Sequence, residues 1–199
     1  MTPVQLSVRD AIRNEIASII PLDDLETTHQ NDALSWIDSG VPIFRTAKPA
    51  TPPKHLVSYF VVMDKDHVLL VEHRNAGLWL PTGGHVEPLE HPRSTVAREL
   101  QEEVGLTLAA PLEAPLMISC TTTVGATAGH TDVSLWYLVE ASRETPLTVD
   151  FNEFHCVRWF APGNIPLSES DPHLGRFMKK LEAYRLRQTS RQTPQCAAH

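Results

Sequence analysis

One stretch, GHVEPLEHPRSTVARELQEEVGL at residues 84–106, constrains the fold of this chain more than any other. Its second half predicts a helix in which Glu99, Glu102 and Glu103 stand at i, i+3 and i+4, so their carboxylates share one side. Three carboxylates so close together repel one another and weaken an isolated helix. A divalent cation relieves that repulsion, because hard cations such as Mg²⁺ or Mn²⁺ take oxygen ligands and are often shared between carboxylates and substrate phosphates.

The ends and the apolar face of this helix follow from the same stretch. Pro92 suits the first turn, and Gly105 suits the left-handed residue that closes a helix, so the helix is predicted from about Pro92 to Val104. The carboxylates lie beside the apolar face rather than opposite it, so the helix is expected to pack on a sheet with one side and line a cleft with the next. The predicted apolar residues are Val96, Ala97, Leu100 and Val104.

Residues 1–54 are predicted to form a helical extension followed by a proline-rich linker. The first helix begins after the N-cap Ser7 and stops before Pro21; the second runs from about Leu22 or Asp23 to Asp38. These helices pack on the domain, form a dimer surface or cover an active site, and the sequence leaves the three alternatives open. A homodimer is therefore one expected assembly.

Residues 55–187 are predicted to form one α/β domain, and residues 188–199 a disordered tail. The near-continuous apolar character of the first two strand-like segments is typical of central strands that are buried on both faces. The segment 81–84 is read as a tight bend. Strands are predicted at 56–63, 67–73, 116–124, 130–140 and 156–160, with a turn at 125–129 and a last helix from 173 or 174 to 187.

The spacing within the opening stretch resembles the Nudix box of the Nudix (MutT-like) hydrolases. The defining positions of that motif are a glycine, a glutamate six residues later, an Arg-Glu pair, a Glu-Glu pair and a closing glycine. Here they are Gly84, Glu90, Arg98, Glu99, Glu102, Glu103 and Gly105, with aliphatic Leu100 and Leu106 between and after them.

This resemblance implies an α/β/α sandwich around a mixed sheet and a Mg²⁺-dependent hydrolase, with Mn²⁺ as a second candidate ion. Such enzymes cleave a diphosphate bond in a nucleoside diphosphate derivative. By position, Glu99, Glu102 and Glu103 match the metal-binding and catalytic glutamates. Gly84, or its neighbour Gly83, matches the loop whose carbonyl can bind metal. Arg98 matches the arginine that orients Glu99, and Glu102 or Glu103 is expected to be the most rate-critical residue.

Acidic and basic residues outside the box are further candidates. Asp132 and Glu153 are each expected to complete the metal site or activate water, the alternative being a solvated loop acid. Arg74, before the glycine segment, can meet a phosphate or remain a surface arginine. Gly83, His85 and His130 complete the predicted substrate-binding set, although lone histidines are more often structural.

Composition limits the partners that the chain is expected to bind. The formal net charge of -7 argues against extended nucleic acid as a partner, and no apolar run is long enough to span a membrane. No signal peptide is evident, and the three scattered cysteines are typical of reduced thiols, so a cytoplasmic protein that binds a small nucleotide is expected. The nucleotide derivative itself stays open. The main alternative is a catalytically silent nucleotide-sensing or protein-binding module on the same fold, whose usual sign, lost carboxylates, is absent.

Overall fold

A seven-stranded mixed sheet forms the middle layer of the molecule in a computed structural model that describes residues 7–48, 51–123 and 129–192. Helices cover both faces of this sheet, so the predicted α/β/α sandwich with N-terminal helices is confirmed. The elements are α1 (Val8–Ser18), α2 (Asp24–Asp38), β1 (Lys54–Asp64), β2 (His67–His73), β3 (Leu78–Leu80), β4 (Thr82–His85), α3 (Pro92–Val104), β5 (Met117–Thr122), β6 (Thr131–Glu140), β7 (Phe154–Phe160) and α4 (Leu174–Gln192), with short 3₁₀ turns at Pro162–Asn164 and Leu167–Glu169.

Strand β1 is the centre of the sheet and has different partners along its length. The main path of the sheet runs β3-β2-β1-β6-β5, with β1 parallel to β6 and the other pairs antiparallel. The first half of β1 pairs with β4, from Val57 opposite His85 to Phe60 opposite Thr82. Its last residues pair with β2, which also pairs with β7. Strand β4 therefore lies beside β1 at the place where β2 has moved away.

Two hydrophobic clusters lie on opposite faces of the sheet. One joins the sheet to α1, α2 and α3, and the other joins it to α4. Strand β6 supplies both: Val133 and Tyr137 belong to the first cluster, and Trp136 to the second. The predicted alternation along this strand is confirmed, because successive side chains of a strand point to opposite faces.

The N-terminal helices share the main core. Ile12 and Ile16 of α1 and Ile37 of α2 are essentially inaccessible and belong to the same cluster as the sheet residues. The carboxylate of Glu26 in α2 is fully buried, accepts a hydrogen bond from the Ile118 amide of β5 at 3.2 Å, and forms an ion pair with Lys180 of α4. This arrangement supports the alternative in which the extension packs on the domain.

Two local predictions were wrong. The segment at Gly83 and Gly84 is strand β4 rather than a tight bend, and neither glycine has a positive φ. Ala97 is exposed, whereas Thr95 is buried beside Val96. A helix turns about 100° per residue, and the buried side of α3 also includes Pro92 and Glu103, which centres it near Val96 and leaves Ala97 at its edge.

One predicted boundary differs from the structure, and two other predictions fall largely outside the described residues. Helix α4 continues past the predicted end at 187 to Gln192, since its last residues include good helix formers such as Arg and Gln. The predicted turn at 125–129 and the tail beyond 192 lie almost wholly outside the described residues. Among the helices that the structure describes, none is long and apolar enough to cross a bilayer.

Candidate active site

Helix α3 and strand β4 bring the motif residues together. The helix begins after His91, whose ring accepts the amide of Arg93, and it ends at Gly105 in the left-handed conformation with φ 71°. Val96 and Leu100 bury one side of it against the sheet. The predicted helix limits are confirmed, and the side of α3 next to its buried face is presented to β4.

Arg98 connects three carboxylates of the motif. Its guanidinium donates to Glu99 Oε1 at 2.6 Å, to Glu90 Oε2 at 3.1 Å and to Glu102 Oε2 at 3.3 Å. Glu90 is itself held by the hydroxyl of Thr95 at 2.8 Å. Hydrogen bonds to Glu90, followed by those to Glu99, raise the pKa of Arg98 further above its usual range. The arginine thus holds Glu99 in one orientation.

Glu103 and Glu99 form the buried part of the carboxylate set. Glu103 is only 5% exposed and accepts the Gly83 amide at 3.2 Å. Burial, followed by the charges of Glu99 and Glu153, raises the pKa of Glu103 well above its usual value. Burial also raises the pKa of Glu99, against the effect of Arg98. Both carboxylates therefore favour a neighbouring positive charge.

Gly84 lies directly against Glu99. A Cβ atom at this position would be 2.0 Å from Glu99 Oε1 and 2.2 Å from its Cδ, so no side chain fits unless Glu99 moves. At Gly83 a Cβ would be 2.6 Å from the carbonyl oxygen of Ser58 on β1. Gly83 thus permits close packing against the β1 backbone, and Gly84 permits close packing against the Glu99 side chain.

These residues fit a hard divalent cation. Three glutamates from one helix side offer oxygen ligands, two of them in a largely buried setting in which their negative charges oppose each other. Glu102 is more open, with 60% of its side chain exposed, and can reach a ligand from the solvent side. The structure itself assigns no ion and no catalytic role to any of them.

The two loop candidates, Glu153 and Arg74, lie close together. The Arg74 amide donates to the Glu153 carbonyl at 2.9 Å, and its guanidinium donates to the Phe151 carbonyl at 2.9 Å. The negative charge of Glu153 contributes to the raised pKa values of Glu99 and Glu103. Glu153 is therefore beside the glutamate set, whereas the Arg74 guanidinium is engaged with the loop backbone.

The other candidates, His85, His130 and Asp132, meet in a separate cluster that also includes His55. His55 and Asp132 are paired residues of the parallel strands β1 and β6, and His85 lies on the adjacent β4. One ligand atom from each of the four residues lies within 4.8 Å of all the others. We call these four residues the histidine cluster. No local pattern pointed to His55, because its neighbours in the cluster come from distant strands.

Arg45, from the proline-rich linker, lies near both groups. It is half-buried, and the charges of Asp132 and Glu99 both act on it. Burial, followed by the Arg45 charge, lowers the pKa of His85 to about 3, so this imidazole is neutral at pH 7. Nothing in the sequence of the proline-rich linker predicted a basic residue near the carboxylates.

Asp171, just before α4, is a further acid, partly buried, whose pKa is influenced by Asp132. Its carboxylate accepts the His173 amide at 2.7 Å. Burial raises its pKa to about 6, and the charge of Asp132 adds to that rise. It was not predicted as a site residue, because an aspartate followed by proline before a helix is an ordinary helix-start signal.

The family match agrees with this geometry. The NUDIX domain model matches residues 53–181, more than half of the chain. The chain therefore belongs to the NUDIX family, and it is a Nudix hydrolase, as the resemblance predicted. The match begins just before β1 and ends within α4. Among curated proteins, no sequence matches this chain significantly.

Solved structures with the same fold are numerous. A MutT protein from Methanosarcina mazei has 18% identity and a TM-score of 0.55, covering 65% of this chain and 94% of that one. A NUDIX hydrolase from Nitrosomonas europaea has 22% identity and a TM-score of 0.54, covering 64% and 88%. The NUDIX domain of Shewanella oneidensis NrtR, solved with ADP ribose, has 21% identity and a TM-score of 0.50, covering 65% and 86%. At these identities the likeness concerns the fold alone.

Proposed function

We propose that this protein is a Mg²⁺-dependent hydrolase that cleaves a diphosphate bond in a nucleoside diphosphate derivative. The observation that carries the proposal is the carboxylate set on α3, in which Glu103 and Glu99 are largely buried side by side while Arg98 holds Glu99 in place. A set of carboxylates without a cation is electrostatically unfavourable. A divalent cation that the glutamates share with an anionic diphosphate would offset the repulsion among them.

Each residue then has a distinct task. Glu99, Glu102 and Glu103 hold Mg²⁺, with Mn²⁺ as the alternative ion, and Gly84 supplies a backbone carbonyl beside them. When bound, the cation neutralises diphosphate oxygens and lowers the pKa of water. Arg98 positions Glu99.

Two residues from outside the box, Glu153 and Arg45, complete the proposal. Glu153 is the candidate from outside the box whose negative charge acts on both Glu99 and Glu103, and it can accept a proton from water. Arg45, near Glu99, is a better candidate for a phosphate contact than Arg74, whose guanidinium is bonded to the Phe151 carbonyl. Gly83 presents its backbone beside the glutamates, where its amide donates to Glu103.

The test is a pair of isosteric substitutions, Glu102→Gln and Glu103→Gln, assayed with Mg²⁺ or Mn²⁺ on a panel of nucleoside triphosphates, oxidised nucleotides and nucleoside diphosphate conjugates. Each is expected to lower kcat by roughly 10²–10⁴-fold, the usual contribution of a positioned acid–base group, while circular dichroism stays unchanged. Glu113→Gln, on an exposed loop position, is the matched control and should keep full activity. Wild-type activity in both glutamine variants would exclude Glu102 and Glu103 as metal ligands.

Product analysis on the same panel identifies the bond that breaks. ADP ribose belongs in the panel because the related NUDIX domain of Shewanella oneidensis NrtR was solved with it. Tight nucleotide binding without turnover by any member would favour the rival, a silent nucleotide-sensing or protein-binding module. The intact set of motif carboxylates favours the enzyme. A cytoplasmic location follows from the cysteine content and stays a prediction.

A further inference from the structure

The histidine cluster has an unusual arrangement of polar atoms. His55 Nε2, His130 Nε2 and His85 Nε2 lie 3.2, 3.4 and 4.0 Å from the same atom, Asp132 Oδ1. Within the described part of the chain, Asp132 Oδ1, His55 Nε2 and His85 Nε2 are buried and have no hydrogen-bond partner. His55 itself is fully inaccessible. Buried polar atoms without partners are costly, so such a group requires an explanation.

The other nitrogen of each buried ring is already engaged. His55 Nδ1 lies 2.8 Å from the Pro52 carbonyl oxygen, and a carbonyl only accepts hydrogen bonds, so this nitrogen carries the proton. In a neutral His55 the Nε2 atom is then a bare lone pair that faces a carboxylate oxygen. His130 Nδ1 lies 3.1 Å from the Thr123 hydroxyl. This is the pattern of metal-binding histidines, whose second nitrogen is bonded to a carbonyl or similar group and fixes the tautomer.

Protonated imidazoles do not explain the cluster. The His55 ring is stacked on His130 with centroids 5.0 Å apart and lies 4.8 Å from His85. One carboxylate balances the charge of a single imidazolium, so two of the three converging nitrogens would remain unmatched even then. A cation placed among the three nitrogens and the oxygen satisfies all four atoms at once.

The spacing fits a tetrahedral ion. Zn–N and Zn–O bonds of about 2.0–2.1 Å place neighbouring ligand atoms of a tetrahedron about 3.3–3.4 Å apart. The separations of 3.2 and 3.4 Å from Asp132 Oδ1 to His55 and His130 match this value. The four ligand atoms lie within 4.8 Å of one another, so a bound ion has to draw them closer together. His85, 4.0 Å from the same oxygen, is the ring at the rim, where 27% of its side chain is exposed and movement is easiest. Imidazole is a ligand that suits zinc-like ions, whereas Mg²⁺ prefers an all-oxygen set such as the glutamates of α3.

We propose that His55, His85, His130 and Asp132 form a second metal site, distinct from the glutamate site, that binds one divalent transition-metal ion of the Zn²⁺ type. Its ligands come from β1, β4 and β6 and from the residue just before β6. The ion therefore ties together three neighbouring strands at the end of β4, one residue beyond Gly84. This site stabilises β4, the strand that carries the two glycines packed against Glu99 and β1.

The test uses Co²⁺ as a spectroscopic probe on the full chain, stripped of metal with a chelator and kept free of Mg²⁺. One equivalent of Co²⁺ is expected to give the intense visible absorption of a four-coordinate ion, to be displaced by Zn²⁺, and to raise Tm. His85→Ala, at the rim, removes one ligand with little loss of packing and should weaken Co²⁺ binding by roughly 10²-fold, the upper end of the loss seen when a metal ligand loses its support. His55→Ala and Asp132→Asn should abolish the intense absorption.

Two controls separate this proposal from the proposed enzymatic function. Glu103→Gln, in the glutamate site, should keep the intense Co²⁺ spectrum although it lacks activity. His67→Ala is the second control. His67 also contacts an aspartate, Asp66 at 2.7 Å, but it lies outside the histidine cluster, so this variant should bind Co²⁺ like wild type. The proposal is overturned if Co²⁺ gives only the weak six-coordinate spectrum, or if binding disappears in Glu103→Gln and persists in His85→Ala, a variant that remains folded by circular dichroism.

Discussion

At the scale of single residues, the candidate active site depends on contacts that leave no spare volume. Gly84 is the clearest case, because the space where its side chain would begin is occupied by the Glu99 carboxylate. The helix periodicity predicts that the three glutamates share a side, but only the packing of β4 on α3 shows why a glycine must stand opposite them.

We expect Gly84→Ala to lower kcat/KM by about 10²-fold, since displacing a reacting group by about 1 Å can cost that much. The added Cβ would lie 2.0 Å from Glu99 Oε1 and force that carboxylate out of the orientation set by Arg98. Steady-state kinetics on the substrate identified by the panel measures the loss. Gly175→Ala, where a Cβ meets Leu167 at an ordinary 3.5 Å, is the control; equal activity of the two variants would contradict the prediction.

Asp171 provides a pH prediction at the same scale. Its pKa rises from an ordinary 3.8 to about 6 in the folded protein, so it contributes full stability below pH 3.8 and loses that contribution as the pH rises through 6. At 1.36 kcal/mol per pKa unit, the rise corresponds to an upper limit on the order of 3 kcal/mol. Asp171→Asn, which can still accept the His173 amide, should therefore gain stability relative to wild type as the pH rises from 4 to 7.

Urea unfolding at a series of pH values measures this difference. Asp64→Asn is the opposite control: the backbone amide of Arg143, followed by its side chain, lowers the pKa of Asp64, so the substitution should cost more at neutral pH than at acidic pH. A pH-independent difference between Asp171→Asn and wild type would show that Asp171 titrates normally.

At the scale of elements, α3 is a helix whose two ends and buried side were readable from the sequence. Pro92 and Gly105 mark its limits, and the spacing of Val96 and Leu100 marks the side that packs on the sheet. The strand that faces it was misread, because paired glycines favour a bend locally whereas here they permit close approach of Ser58 and Glu99. The tertiary contacts of β4 therefore outweigh the local preference of the two glycines for a bend.

Gly105→Ala tests the end of α3. The residue has φ 71°, where a side chain costs about 1–2 kcal/mol, and its Cβ would meet Thr148 Cβ at 2.6 Å. We expect the free energy of unfolding to fall by at least about 1 kcal/mol in urea denaturation. Gly163→Ala, at a position with open space and no positive φ, should change it by much less. Equal effects of the two substitutions would argue against strain at the helix end.

At the scale of the whole molecule, the N-terminal helices and the domain that matches the family share one core. Glu26 is fully buried and accepts hydrogen bonds from the amides of Leu22 and Ile118, and it pairs with Lys180, which is 3% exposed. These contacts join α2, β5 and α4. The division into an extension at 1–54 and a domain at 55–187 stays a prediction, but folding of one part is expected to require the other.

Lys180→Met should lower the free energy of unfolding by about 3–5 kcal/mol, because it leaves the Glu26 carboxylate buried without its cation. Lys179→Met, at the neighbouring exposed position, is the matched control and should have little effect. The double variant Glu26→Gln/Lys180→Met should recover part of the loss. Chemical denaturation followed by circular dichroism should show one transition for the whole chain; two separate transitions would show that the helices fold independently.

The sequence alone determined the local relations: the i, i+3 and i+4 spacing of the three glutamates, the limits of α3, the alternating faces of β6 and the family to which the motif belongs. Each of these depends on neighbours within a few residues, whose geometry a helix or strand sets. Only the tertiary structure brought His55 opposite Asp132, placed Arg45 near Glu99 and buried Glu26 against Lys180. Such contacts depend on which distant strands pair and in which register, and no local periodicity encodes that choice.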